Sequence, residues 1–154
     1  MQFKYLRAQY ETLKADIDRG IQDVIDSGHF ILGNPVTELE NQLKEYVGVK
    51  HCVSCANGTD ALQLVLMAWG IDAGDAVFTS DFTYFASAGC ASVLGATPVP
   101  VDIDRDTFNI SPEDLKRKIE CVLKEGKLRP KVIIPVDLFG LPADHAAIQD
   151  IAKQ

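Results

Sequence analysis

The residues best placed to do chemistry lie in Ser54-Cys55-Ala56-Asn57-Gly58-Thr59-Asp60-Ala61-Leu62. An apolar, β-prone pair, Cys52 and Val53, runs into a tight polar turn, and the turn opens into a helix-forming run from Ala61 to Trp69. Gly58 can take backbone angles that a side chain disfavours, and it admits a ligand close to the main chain. Thr59 and Asp60 then present the first uncommitted N–H groups of a helix, where the macrodipole favours an anion. The chemistry this spells is a phosphate cradle, although Asn-Gly turns also serve as plain connections.

Ligands of open parallel sheets sit outside the carboxyl ends of the strands. Three segments fall at such ends: Asn57 to Asp60, Phe82 to Ser87, and Asp137 to Gly140. The second carries aromatic rings beside small residues. Phe82 and Phe85 read as core, and Tyr84, with its polar tip and opposite alternation, reads as the ligand-facing ring. Cys52-Val53-Ser54-Cys55 spells CxxC, but on a strand positions i and i+3 face opposite ways, so these read as buried structural cysteines. His29, His51 and His145 have neither triad nor metal spacing and read as structural or solvated. The dinucleotide fingerprint and the P-loop are both absent.

The elements that must position these residues follow from periodicity. Leu6, Tyr10, Leu13, Ile17, Ile21 and Val24 recur at spacings of three and four, one apolar stripe on a long helix stopped at Ser27-Gly28. Such a helix packs across a domain or a subunit partner. Asn34-Pro35 starts a second helix, with Val36, Leu39, Leu43 and Val47 inward and Gly48 at its end. The helix from Ala61 is apolar nearly all round, which predicts burial on most sides. Strands follow at Ala76–Thr79, at Pro98–Asp102, where prolines predict an edge position or a short strand, and at Lys131–Val136, the clearest buried strand. Small residues form a helix from Ala86 to Leu94, Ser111-Pro112 caps another, and a last helix begins near Asp144.

Strand and helix alternate, predicting an α/β fold: a mainly parallel sheet with helices on both faces. The 154 residues fit a single domain, 1–154, with N-terminal helices over 1–50 and a βα series over 51–154. A hydrophobic share of 47% with 24% charged residues is globular. A net charge of -7 and the absence of a basic run argue against nucleic acid or an anionic membrane surface as partner. No apolar stretch approaches a membrane span, and Met1-Gln2-Phe3-Lys4 opens no signal-peptide core, so a cytoplasmic location is expected. The chain stops inside its last amphipathic helix with no strand after it, which reads as a truncation.

A phosphate cradle with a stacking aromatic suits a planar, phosphorylated cofactor. The series Val53 to Leu62, Phe82-Thr83-Tyr84, Val101-Asp102-Ile103-Asp104, Thr107-Phe108-Asn109 and Pro135-Val136-Asp137-Leu138-Phe139-Gly140 resembles the sugar aminotransferases of the DegT/DnrJ/EryC1/StrS type. The resemblance runs from the Leu6 to Gln9 segment through Ile31-Leu32-Gly33 and covers nearly the whole chain. It implies the N-terminal part of a fold-type-I large domain that binds pyridoxal 5′-phosphate (PLP). Gly58, Thr59 and Asp60 would hold the cofactor phosphate, Asp60 through its main-chain N–H, and Tyr84 would stack on the pyridine ring.

The resemblance also implies amino transfer, with glutamate as donor, to a nucleotide-linked ketosugar for surface polysaccharide such as O-antigen, in a homodimer. Ser80, Tyr5 and Asn34-Pro35 depart from the family pattern, the last near the substrate-entry loop. The Schiff-base lysine has no credible counterpart here, because Lys14, Lys44, Lys116, Lys118 and Lys124 sit in surface helical contexts. The isolated chain is therefore expected to be inactive. A PLP-dependent dehydratase of the same family and a non-catalytic phospho-ligand module are the alternatives.

Overall fold

The structure, a computed structural model, describes residues 5–154. Met1–Lys4, read above for a signal peptide, lies outside the described residues. The chain divides into two compact units, Met1–Ser54 and Cys55–Gln154.

The first unit contains α1 (Leu6–Ser27) and α2 (Asn34–Val47). Gly28 and Gly48 end them in the left-handed conformation, which glycine adopts without a Cβ penalty. The N-cap of α2 is Gly33 rather than Asn34, whose amide instead donates to Glu38 one turn on. Neither helix buries a residue, and Leu13, Ile17, Ile21 and Ile25 leave the apolar stripe of α1 exposed. Ser54 closes the unit by donating its N–H and hydroxyl to the Glu40 carboxylate, both at 2.8 Å.

The second unit begins with α3 (Gly58–Ala68), then β1 (Asp75–Ser80), α4 (Ala86–Val93), β2 (Thr97–Val101) and α5 (Pro112–Glu125). It ends with β3 (Arg129–Ile134), a single 3-10 turn (Leu138–Gly140) and α6 (His145–Ala152). The strands form a parallel sheet in the order β2-β1-β3. All of β1 is buried, because it is central and both its faces are covered. Val77 joins Leu66, Cys90, Ala91 and Val132 on the α3–α4 face, while Ala76 and Phe78 join Leu115 and Ile148 on the α5–α6 face. The expected parallel α/β architecture is present, with the proline-bearing β2 on an edge.

Several expectations fail for one reason: burial needs a neighbour. Cys52 and Val53 form no strand, since no described strand pairs with them, and Cys55 is exposed and Cys52 only half-buried; Cys90 is the buried thiol. β3, expected to be the buried strand, buries only Val132 because it lies on the other edge. Of α3 only Leu66 is buried, while Leu64, Val65 and Met67 face outward. No helix among the described residues is long and apolar enough to cross a membrane.

Candidate functional site

Parallel strands bring all their carboxyl ends to one edge of the sheet. α3 is 11 residues, about 16 Å long. The short Trp69–Gly74 connection returns it into β1, which spans about 20 Å over 6 residues. α3 therefore runs back along the strand, and its first turn lies toward the carboxyl edge. There β1 releases Phe82–Phe85 and β3 releases the Asp137–Gly140 loop. The Thr79 hydroxyl fastens the two strand ends together by donating to the Ile134 carbonyl at 3.0 Å.

Asn57 is the N-cap of α3, because an asparagine in extended geometry can turn its side-chain oxygen onto the helix it precedes. Its Oδ1 accepts the Asp60 N–H at 3.0 Å, and its Nδ2 donates to Asp60 Oδ2 at 3.1 Å. Asp60, expected to offer its main-chain N–H to an anion, instead has both that N–H and its carboxylate engaged by the cap, because the Asn57 amide turns back onto the helix it precedes. Among the described residues, the N–H groups of Gly58 and Thr59 and the Thr59 hydroxyl have no such partner. Gly58 sits in ordinary helical backbone, not in the left-handed region, and a Cβ built there meets nothing within 4 Å. Its lack of a side chain leaves open space over the helix end.

Tyr84 is 80% exposed just beyond β1; Phe82, expected in the core, is also exposed at 47% and packs on the similarly exposed Phe108, with ring centroids 5.8 Å apart. Phe85 is not core as expected: it is exposed and lies back over Gly89, where a Cβ would come within 2.7 Å of its ring. A glycine on α4 makes that close approach possible. A hollow of about 390 Å³ opens beside this segment, lined by Thr79, Ser80, Asp81, Thr83, Phe85 and Pro98 among others. The larger groove, about 680 Å³, runs along β3, α5 and α6, and none of Gly58, Thr59, Asp60 and Tyr84 lines it.

The third strand end carries a feature that the sequence pattern did not show. Asn109 is buried; its Oδ1 accepts the Leu138 N–H at 3.1 Å and its Nδ2 donates to the Leu141 carbonyl at 2.9 Å. Between those anchors Phe139 has φ +54, a left-handed conformation costing a side-chain-bearing residue about 1–2 kcal/mol. Asp137 anchors the loop from the other side, its Oδ1 accepting the Ala143 N–H at 2.9 Å and meeting His145 Nε2 at 2.8 Å. Those hydrogen bonds, the backbone one first, hold the Asp137 carboxyl below the usual aspartate range. His145, read as structural or solvated, is thus the partner of a loop carboxylate, and His29 and His51 are exposed. Thr107-Phe108-Asn109 was legible as a motif, but nothing in the spacing tied Asn109 to a loop 29 residues onward.

The parallel α/β sheet carries at its carboxyl edge, where ligands of such sheets bind, a helix start with two N–H groups unpartnered among the described residues and an exposed ring. The DegT/DnrJ/EryC1/StrS aminotransferase family model matches residues 11–154, and the chain belongs to that family. It is 49% identical over 154 residues to the UDP-2-acetamido-2-deoxy-3-oxo-D-glucuronate aminotransferase of Pseudomonas aeruginosa, covering 100% of this chain and 41% of that protein. The crystal structure of a DegT DnrJ EryC1 StrS aminotransferase from Brucella abortus superposes with TM-score 0.95 at 48% identity, over 99% of this chain and 41% of that one. The structure of ntda from Bacillus subtilis with bound cofactor PMP matches with TM-score 0.82 at 29% identity, over 90% of this chain and 30% of that one. The chain spans about two-fifths of the length of the first two.

Proposed function

We propose that this chain supplies the cofactor-phosphate anchor and the stacking ring of a PLP-dependent aminotransferase acting on a nucleotide-linked ketosugar. The observation that carries the proposal is the first turn of α3, where Gly58 and Thr59 offer N–H groups and a hydroxyl while the cap occupies the Asp60 carboxylate. These donors suit a phosphate dianion: dipole and hydrogen bonds point the same way, and the nearby carboxylate accepts a hydrogen bond from the cap amide. The open space above Gly58 admits the anion to the main chain. Membership in the aminotransferase family and the cofactor named with the Bacillus subtilis structure support PLP as the group held.

Bound there, PLP would supply the electron sink that amino transfer requires. This chain's own residues bind and orient: Gly58 and Thr59 fix the phosphate, Asp60 completes the cap that shapes the turn, and Tyr84 limits the tilt of the pyridine ring. On this reading residues 1–154 are the N-terminal part of the cofactor-binding large domain, and the lysine that links covalently to PLP is none of this chain's lysines. The whole enzyme would be a cytoplasmic homodimer serving surface polysaccharide synthesis, with glutamate as donor, and the Pseudomonas aeruginosa relative supports a UDP-linked 3-oxo sugar as acceptor.

Titration of the isotope-labelled chain with PLP tests the anchor. Shifts are expected at the Gly58 and Thr59 amides, with affinity falling about tenfold or more in Thr59→Val, the range of one lost hydrogen bond to a charged group. Equal binding by Thr59→Val would overturn the assignment. Borohydride treatment separately tests the missing lysine, and a stable cofactor adduct on this chain would refute it.

A further inference from the structure

Phe139 is displayed in a form that its own sequence does not favour. Its backbone is left-handed, Gly140 follows at φ +84, and the ring is 90% exposed. The chain around it is nonetheless held at several points. The buried Asn109 amide grips Leu138 on one side and Leu141 on the other. Asn109 is fixed in turn, its carbonyl accepting the Asp104 N–H at 2.9 Å within a turn where Phe108 is also left-handed. From behind, Asp137 accepts the Ala143 N–H. A buried side chain that reaches across 29 and 32 residues of sequence thus fixes one exposed ring at the carboxyl edge of the sheet. Backbone in sparsely populated regions persists where its surroundings over-determine it, and such positions cluster at ligand clamps.

We propose that Phe139 is a ligand-contacting residue that packs against the sugar nucleotide, and that Asn109 is the positioning residue that holds it there. The inference rests on the functional reading above and assigns the nucleotide-sugar side of the same site to the β3 loop. An aromatic ring suits both the flat face of a base and the apolar face of a sugar ring. Phe139 acts by contact, and Asn109 acts only through Phe139.

The test is titration of the labelled 154-residue chain with UDP-N-acetylglucosamine, read at the amides of residues 137–141, alongside thermal unfolding of each variant. Phe139→Gly relieves the left-handed backbone, so its melting temperature is expected to hold or rise while affinity falls by about thirtyfold or more, as for loss of a hot-spot ring. Asn109→Ala is expected to lose affinity to a similar degree, and to cause no further loss when added to Phe139→Gly. Equal affinity in Phe139→Gly, or no response of residues 137–141 in the unmodified chain, would overturn the proposal. A purely structural ring would show the opposite pattern, with melting lowered and affinity unchanged. PLP shifts at Gly58 and Thr59 are expected to survive in Phe139→Gly, so failure of the cofactor reading and failure of this one are separate results.

Discussion

Asn57 works through both ends of its amide, and the consequence is local. Its oxygen satisfies one orphan N–H of α3 and its nitrogen holds the one carboxylate in the first turn. Asn57→Ala should cost about 1 kcal/mol in urea denaturation, the usual value of an N-cap, and should also release Asp60 beside the proposed anion. The measurement that separates these effects is PLP affinity in Asn57→Ala against Asn57→Ala/Asp60→Ala; recovery in the double variant is expected if the freed carboxylate is the obstacle. Asp137 gives a pH-dependent counterpart. Its carboxyl is depressed in the folded state by the Ala143 N–H and by His145, so its contribution is present above the ordinary aspartate range and fades as pH falls through the folded value. Asp137→Asn should therefore lower melting at neutral pH and lose that deficit in acid. A deficit unchanged by acid would mean that the charge is not what the loop uses.

At the scale of elements, α5 shows how a strong amphipathic pattern becomes stability. Ser111 caps it by accepting the Asp114 N–H at 3.3 Å, and Leu115 is fully buried against the sheet. Leu115→Ala should cost about 2–5 kcal/mol in chemical denaturation. α4 presents the contrary case. Gly89 weakens a helix that Ala would strengthen by about 1 kcal/mol, yet a Cβ there meets the Phe85 ring at 2.7 Å. Because Phe85 is exposed, its ring can swing away, so Gly89→Ala should change stability by less than about 1 kcal/mol while moving the ring. Proton contacts between Phe85 and residue 89 would report the movement; a large stability loss with the ring in place would show that Phe85 is not free to yield.

At the scale of the whole second unit, Arg129 joins the start of β3 to the turn before β1. Its Nε lies 2.8 Å from Asp75 Oδ1, aligned as an ion pair rather than a directed hydrogen bond, and a second guanidinium nitrogen reaches Asp72 at 3.1 Å. Asp75 is 1% exposed, so Arg129→Met would leave a buried carboxylate without its cation. Since Arg129 is itself largely exposed, solvent screens part of the loss, and about 1–3 kcal/mol is expected. Asp75→Asn added to Arg129→Met should restore most of it, measured as a double-mutant cycle. Additive losses would show that the pair does not interact.

The sequence by itself determined what depends on neighbours along the chain. The helix stripes, the cap at Ser111, the stop at Gly28 and the edge-placed prolines of β2 all follow from contacts within a few residues. The motif order led to the family for the same reason. Only the tertiary structure decided which apolar runs find partners: β1 is buried throughout because it is central, while β3 and the outer side of α3 stay open. Gly58 was legible as a site residue, but the division of labour around it was not, since which N–H groups the cap takes depends on where the Asn57 amide turns. The grip of Asn109 on the Phe139 loop lay furthest from view. It joins residues 29 and 32 positions apart through one buried side chain, and such a contact comes into being only when the strands align and bring their carboxyl ends to the same edge.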